Sequence, residues 1–600
     1  MADNKNVNVA VPPNRFGNRG MPVVKPKNMK GTLGRLWNLT KGHRNGLGYI
    51  FILAGIASGS AILSPYVIGK LINHINNGEP YATVLIVLFA LYLGDCLIRF
   101  LQQFFMAAIG QRMILHIRTG LFAHMEKLPL AFFDKRQHGE LMSRLTNDID
   151  NISTTISDSL TQLMMYGFTI VGIFVAMISM SPILTGLSLL AVVFIFILTK
   201  AVTKRTKVLF KKQQEILGKL NGQVEESISG IQIVKSFGQE QEMIEQFVQS
   251  NDALCEVAIK AQICSGYLMP LMNVINNVNY VLISAVSGVM AVKDMLSVGE
   301  ISSFLLYARQ FTRPFVDIAN IYNNFQTAVA GAERIFEIFD QDKEPEDIEG
   351  AYSLQKPEGK VEFCNVKFGY NEDKMILKGI NLSIPAGTKV AVVGPTGSGK
   401  TTLINLLTRF YDVNDGAILL DNHDLREYKM DDLRDAFGVV LQDTALFGIS
   451  IKDNISYGKE NVSMDKIIEA AKVAGAHSFI KRLPQGYDTV LTQGGAELSQ
   501  GERQLLTIAR AVLSDAPIMI LDEATSSVDT VTEQHIRRAM LQITQGRTSF
   551  IIAHRLSTIR DSDLIIVIKD GVIAEQGNHD SLLALDGEYA KMYHTQMGLS

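Results

Sequence analysis

VAVVGPTGSGKTTLINLLTRF, Val390–Phe410, passes from a β-branched apolar run through a glycine-rich turn into a segment with helical spacing. A phosphate-binding loop requires strand, turn and helix in that order. Gly394, Pro395, Thr396, Gly397, Ser398 and Gly399 let successive backbone N–H groups turn inward around phosphate oxygens, at the positive end of the helix that follows. Lys400 is spaced to reach the β and γ phosphates, Thr401 offers a hydroxyl to Mg²⁺, and Thr402 continues the first turn. Downstream, PIMILDE, Pro517–Glu523, reads as a buried strand ending in two carboxylates. Asp522 can hold Mg²⁺ through water, and Glu523 can orient or deprotonate the water that attacks a γ-phosphate. Alone, such a run is a plain strand end; beside a phosphate loop it reads as the second part of a triphosphate site.

From Gly359 onward, the strand-like runs TKVAVVG, IMILD, SFIIA and LIIVI alternate with helical segments, the pattern of an α/β domain with a largely parallel sheet. Ahead of it, DQDKEPEDIEG, Asp340–Gly350, is acidic and bears Pro345, which suits an exposed linker.

The rest of the chain has a different character. The 600 residues are 47% hydrophobic and 20% charged, and the mean hydropathy is positive at +0.15, so part of the chain belongs in lipid. A formal net charge of −3 gives no support for binding nucleic acid. Cys96, Cys255, Cys264 and Cys364 are far apart, without metal or disulfide spacing, and read as ordinary buried thiols. Six apolar stretches, about 47–72, 82–109, 157–180, 183–203, 264–292 and 299–325, are each long enough to cross ~30 Å of hydrocarbon as a helix.

Lys and Arg concentrate in 1–44, 112–156 and 200–260 and are nearly absent from the intervening short loops, which places both termini in the cytoplasm. The expected division is a cytoplasmic tail at 1–44, a transmembrane domain at 45–330, a linker at 331–356 and a nucleotide-binding domain at 357–600. The tail lacks the apolar core of a signal peptide. Its Leu33, Leu36 and Trp37 fit a short helix lying on an anionic membrane surface, and a solvated basic tail fits equally well. Helical periodicity continues through both long inner loops, which read as helices projecting beyond the bilayer.

ELSQGERQLLTIARA, Glu497–Ala511, followed by the Asp-Glu strand and ATSSVD, resembles the signature helix, Walker B strand and D-loop of an ATP-binding cassette. With six spans preceding it, the chain from about residue 30 to 600 resembles the exporters in which one helical membrane domain is fused to one α/β P-loop ATPase domain. The resemblance implies an ATP hydrolase coupled to export, with ATP and Mg²⁺ as cofactors, in the cell membrane. Tyr370 matches the aromatic that stacks on adenine, Gln442 the glutamine that contacts Mg²⁺ and links nucleotide to membrane domain, and His554 the switch histidine at the γ-phosphate. Asp529 matches the aspartate used between two nucleotide domains. Phe132, Phe133, Asp134 and Gly139, then Glu225, Glu226 and Gly230, lie in sequences similar to the family's two coupling helices.

The signature departs from the family's usual LSGGQ: here it reads Leu498, Ser499, Gln500, Gly501 and Glu502, and Gln493 stands where glutamate is common. Gln500 adds bulk and Glu502 negative charge where the partner's phosphate is expected. One phosphate loop and one signature per chain imply pairing with a second half-transporter. A heterodimer with a partner of intact signature is favoured over a homodimer in which LSQGE is tolerated. Asn273, Asn276, Asn277 and Tyr280 share one helical face, and Arg309 and Arg313 lie a turn apart in the sixth span. They line a cavity for a small hydrophobic substrate, or the asparagines bond between helices and Arg309 pairs with an acid such as Asp95. The implied cargo is a hydrophobic or amphipathic compound, as in multidrug efflux; a lipid or peptide exporter and an ATP-gated channel or regulatory membrane protein are the alternatives.

Overall fold

The structure, a computed structural model, describes residues 28–597 apart from 356, 372–373, 443, 493, 523–529 and 553–558. The described chain divides into two compact units, one formed by residues up to Lys127 and Gln137–Asp342, the other by Leu128–Arg136 with the chain from Lys343 onward.

The first unit is helical. A short helix α1 (Met29–Leu39) precedes α2 (Arg44–Asn76) and α3 (Ala82–Met125). The small helix α4 (Leu130–Asp134) belongs to the second unit, although its chain neighbours belong to the first. The chain returns through α5 (His138–Ser143) and α6 (Ile149–Thr154), each followed by a π-helical turn, Arg144–Asp148 and Thr155–Leu160, into α7 (Thr161–Met180). Then come α8 (Pro182–Ser229), α9 (Ile231–Ser236), α10 (Glu240–Gly266), α11 (Leu268–Val292) and α12 (Val298–Phe339). Among the described residues, five segments are long and apolar enough to cross a membrane: Arg44–Asn76, Ala82–Met125, His138–Met180, Pro182–Ser229 and Glu240–Val292. The sixth expected span lies within α12, which is continuous but carries Glu300, Arg309, Arg313 and Asp317, and this dilutes its hydropathy.

Packing between these helices is close and polar in places. Gly69 on α2 and Gly299 on α12 meet so tightly that a Cβ on Gly299 would sit 2.0 Å from the Gly69 carbonyl oxygen. Small residues at such crossings let backbones approach where hydrophobic driving force is lacking. Tyr307 donates from its hydroxyl to the Ile62 carbonyl at 2.6 Å, and Ser303 to that of Pro65 at 2.8 Å. At the far end of α12, Arg334 bonds Asp148 through two nitrogens at 2.8 and 2.5 Å; Asp148 raises the guanidinium's already high pKa. The tail residues around Leu33 form the helix α1, and Arg35 pairs with Asp340 while lying 4.3 Å from the Phe336 ring centroid.

Two expectations from the sequence do not hold. Asp95, offered as a partner for Arg309, pairs instead with Arg99 one turn away on α3, at 2.7 Å. Cys96, Cys255 and Cys364 are exposed free thiols, and Cys264 is half-buried, accepting from the Thr206 hydroxyl on α8 at 3.4 Å.

Among the described residues, the second unit contains ten strands in two sheets. β1 (Val361–Phe368), β2 (Leu377–Ile384), β4 (Asp415–Leu420) and β5 (His423–Asp424) form an antiparallel sheet in the order β2-β1-β4-β5, an arrangement that the sequence pattern does not indicate. β3 (Lys389–Val393), β6 (Phe437–Val440), β7 (Ile518–Asp522), β8 (Thr548–Ile552), β9 (Leu564–Lys569) and β10 (Val572–Gly577) form the other, in the order β10-β9-β3-β8-β7-β6, parallel except at β10. Its runs are apolar without alternation because both faces are covered. Ala391, Val393, Met519, Leu521 and Ile551 enter one core, and Val390, Val392, Ile518, Ile520 and Ile552 enter the other.

Candidate functional site

In a parallel sheet, ligands bind beyond the carboxyl ends of the strands. The register puts those ends level: Val392 on β3 and Asp522 on β7 both lie opposite Ile552 on β8. The phosphate loop therefore leaves β3 about two strand spacings, or roughly 10 Å, from Asp522.

The loop's glycines have stated reasons. Gly394 has φ +153°, and a Cβ there would lie 2.2 Å from the Ile568 carbonyl oxygen; Gly399, at φ +107°, is the left-handed residue that starts the helix α13 (Lys400–Leu407). The resulting cradle holds Lys400, only 8% exposed, whose ammonium donates to the carbonyls of Gly394 at 2.9 Å and Pro395 at 3.0 Å. Burial pushes its pKa below the ordinary lysine value, and the charge of Asp522 offsets part of that. A buried cation held by neutral carbonyls favours an arriving anion. The buried hydroxyl of Ser398 has no hydrogen-bond partner among the described residues, while Thr401 is exposed beside it and Thr402 is buried.

Tyr370 stands over the start of α13, with its hydroxyl 3.3 Å from that of Thr402 and from Asn405 Nδ2. Tyr411 packs edge-on against it, ring centroids 5.0 Å apart, and donates from its own hydroxyl to the Asp134 carboxylate on α4. Burial and that carboxylate push the Tyr411 hydroxyl's pKa up. Sequence reasoning misses Tyr411; the only available signal is an aromatic just past the phosphate-loop helix. Tyr411→Phe keeps the ring packing but removes one charge-assisted bond, worth about 1 kcal/mol at this partly exposed position. Amide exchange of residues 128–136 is expected to quicken roughly fivefold while ATP affinity stays within about twofold.

Gln442 follows β6 and is exposed. Ser499 caps the helix Gln500–Ser514 in a reciprocal box: its hydroxyl accepts from the Glu502 amide at 3.3 Å, and the Glu502 carboxylate accepts from the Ser499 amide and hydroxyl, each at 2.9 Å. Glu502, read as a departure that harms phosphate binding, thus has a local task in its own helix. Gly501 is buried and Gln500 half-buried. Among the described residues no hydrogen bond joins Ser499, Gln500, Gly501 or Glu502 to the phosphate loop of the same chain. Gln493, Glu523, Asp529 and His554 lie outside the described residues.

A phosphate loop on a parallel sheet, a signature helix and a bundle of membrane-length helices in one chain define an ATP-driven membrane transporter. Residues 47–315 match the family described as the ABC transporter transmembrane region, and 377–526 the family described as ABC transporter. The chain is 44% identical to the uncharacterized ABC transporter ATP-binding protein YfiC of Bacillus subtilis, over 96% of this chain and 95% of that one. It is 41% identical to a fatty acid ABC transporter ATP-binding/permease protein of Mycobacterium bovis (84% and 79% covered) and 36% identical to an ATP-dependent lipid A-core flippase of Syntrophus aciditrophicus (97% and 96%). The solved structure of a bacterial Atm1-family ABC exporter with ATP bound superposes with a TM-score of 0.73 at 31% identity, covering 92% of this chain and 98% of that one. The chain belongs to the ABC transporter family, as a half-transporter of the exporter class that couples ATP hydrolysis to transport.

Proposed function

We propose that this half-transporter exports an amphipathic, lipid-like compound across the cytoplasmic membrane, with both termini in the cytoplasm. The observation that carries the cargo reading is the likeness to relatives named for a fatty acid and for lipid A-core. Drug efflux, the expectation from the sequence, has no counterpart among those names. Within the membrane unit, Arg309, Arg313, Asn273 and Asn277 are exposed and the buried Oδ1 of Asn276 has no partner among the described residues, which supports a polar-lined path.

MgATP binds at Gly394–Thr402 with Tyr370 against adenine. Thr401, Asp522 and Gln442 are the oxygen donors suited to Mg²⁺, and few protein donors with an exposed hydroxyl among them fit a cation that keeps several waters. Mg²⁺ neutralises phosphate charge there. Glu523 orients the attacking water, and His554 and the partner's signature complete the enclosure.

Pairing of two chains is supported by an asymmetry between the two small helices expected to couple. Phe132 of α4 is 7% exposed, whereas α9 buries nothing and leaves Ile231, Ile233 and Phe237 at 44%, 65% and 75%. The partner subunit covers that apolar tip. The altered signature favours a different second subunit. Purifying the tagged chain from its native membrane and identifying what accompanies it tests this; recovery of this chain alone, active as a homodimer, overturns the heterodimer. ATP-driven release of labelled lipid from vesicles, run beside a fluorescent drug, tests the cargo, and drug transport without lipid transport overturns it.

Glu502→Gln keeps the helix cap, since glutamine also closes such a box, and removes one negative charge near the partner's γ-phosphate. At ~8 Å and an effective dielectric of ~20 that charge costs about 1–2 kcal/mol. The apparent KM for ATP of the assembled complex is expected to fall roughly fivefold to thirtyfold; an unchanged value would show that Glu502 acts only in its own helix.

A further inference from the structure

A cavity of about 200 Å³ in the first unit lies where α3 meets the π-helical turn Thr155–Leu160 and the start of α7. Its walls mix polar and apolar groups: Arg99, Gln102 and Gln103 come from α3, and Asp158, Thr161, Gln162 and Met165 from the other side. Gln102 is only 2% exposed, and its amide nitrogen has no hydrogen-bond partner among the described residues. Orphaned polar groups are costly in a membrane helix, and π-helical turns recur at functional sites.

Depth identifies the occupant. Counted from Ala82, Arg99 to Gln103 lie about 26–32 Å along α3 at ~1.5 Å per residue; counted from Met180, Thr161 lies about 29 Å along α7. With both short loops outside, two separate helices place the cavity at the inner edge of ~30 Å of hydrocarbon, the level of inner-leaflet headgroups. Charge narrows the class. Arg99 is already paired with Asp95, which lies outside the lining, while the exposed Asp158 has no ion pair among the described residues, so Asp158 is the carboxylate left to meet a ligand beside neutral amide donors. A bare anion meets Asp158 with nothing to offset it, whereas a group carrying both signs satisfies Asp158 with its ammonium and the amides with its phosphate oxygens. The volume holds roughly six or seven water-sized groups at ~30 Å³ each, the scale of such a headgroup.

We propose that this cavity binds the zwitterionic headgroup of an inner-leaflet phospholipid. The inference rests on the lipid-export reading and gives it a headgroup class. The test is photolabelling of the full assembled transporter in phosphatidylglycerol vesicles. One probe is phosphatidylethanolamine with a diazirine near its glycerol, and the other is a diazirine fatty acid. The zwitterionic probe is expected to label peptides spanning 99–103 and 158–165 about tenfold more than the fatty acid, Gln102→Leu to cut that labelling about tenfold, and Asp158→Asn to turn the preference toward the fatty acid. Equal or greater labelling by the fatty acid in the unaltered protein, or no effect of Gln102→Leu, overturns the proposal. If Gln102→Leu fails to insert, Gln162→Leu answers the same question. Lipid release is scored in the same vesicles: export without labelling sinks the cavity alone, and labelling without export of any lipid sinks the export reading alone.

Discussion

Lys400→Ala is expected to weaken MgATP binding by about 100-fold or more. The ammonium is nearly buried, held by two backbone carbonyls and depressed in pKa by desolvation. Phosphate oxygens offer it charge-assisted bonds that the carbonyls cannot match, worth about 3 kcal/mol or more in total. That energy corresponds to the stated loss of affinity, measurable by calorimetry on the assembled complex. The buried cation costs the empty protein energy, so Lys400→Met, which keeps the stem's packing, should leave the unfolding temperature without nucleotide unchanged or higher. Unaltered ATP affinity in both variants would remove Lys400 from the site.

Glu523→Gln is expected to retain ATP binding and to lower steady-state phosphate release by about 10²- to 10³-fold, the contribution typical of a positioned general base. Glutamine preserves shape and hydrogen bonding while losing the ability to take a proton from water. Asp522, the last residue of β7, sits level with the phosphate-loop strand, and position 523 is the next in sequence. Substantial turnover in the purified variant would reassign the base. Together the two substitutions separate binding from chemistry: one is expected to lower occupancy, the other to leave nucleotide in place.

Much of the nucleotide site is legible in the sequence because its parts are local. A glycine turn between a strand and a helix needs no distant residue to be recognised, and the apolar runs of β3, β7, β8 and β9 announce burial on both faces. Single positions are less legible. Glu502 looks like a liability by charge, yet its carboxylate reaches back three residues to cap its own helix. Asp95 carries a spacing signal for Arg99, one helical turn away, that outweighs any pairing with the distant Arg309.

Local order and chemical periodicity are enough to establish that one chain holds an ATPase domain and a set of membrane-length helices, since both depend on spacing of a few residues to a few tens. Three-dimensional packing alone assigned α4 to the nucleotide-binding unit, joined Tyr411 to Asp134 across 277 positions, and set the buried Gln102 in the wall of a cavity. Contacts between residues so far apart leave no periodic trace in a single sequence, because they arise only once folding has brought separate segments to one place.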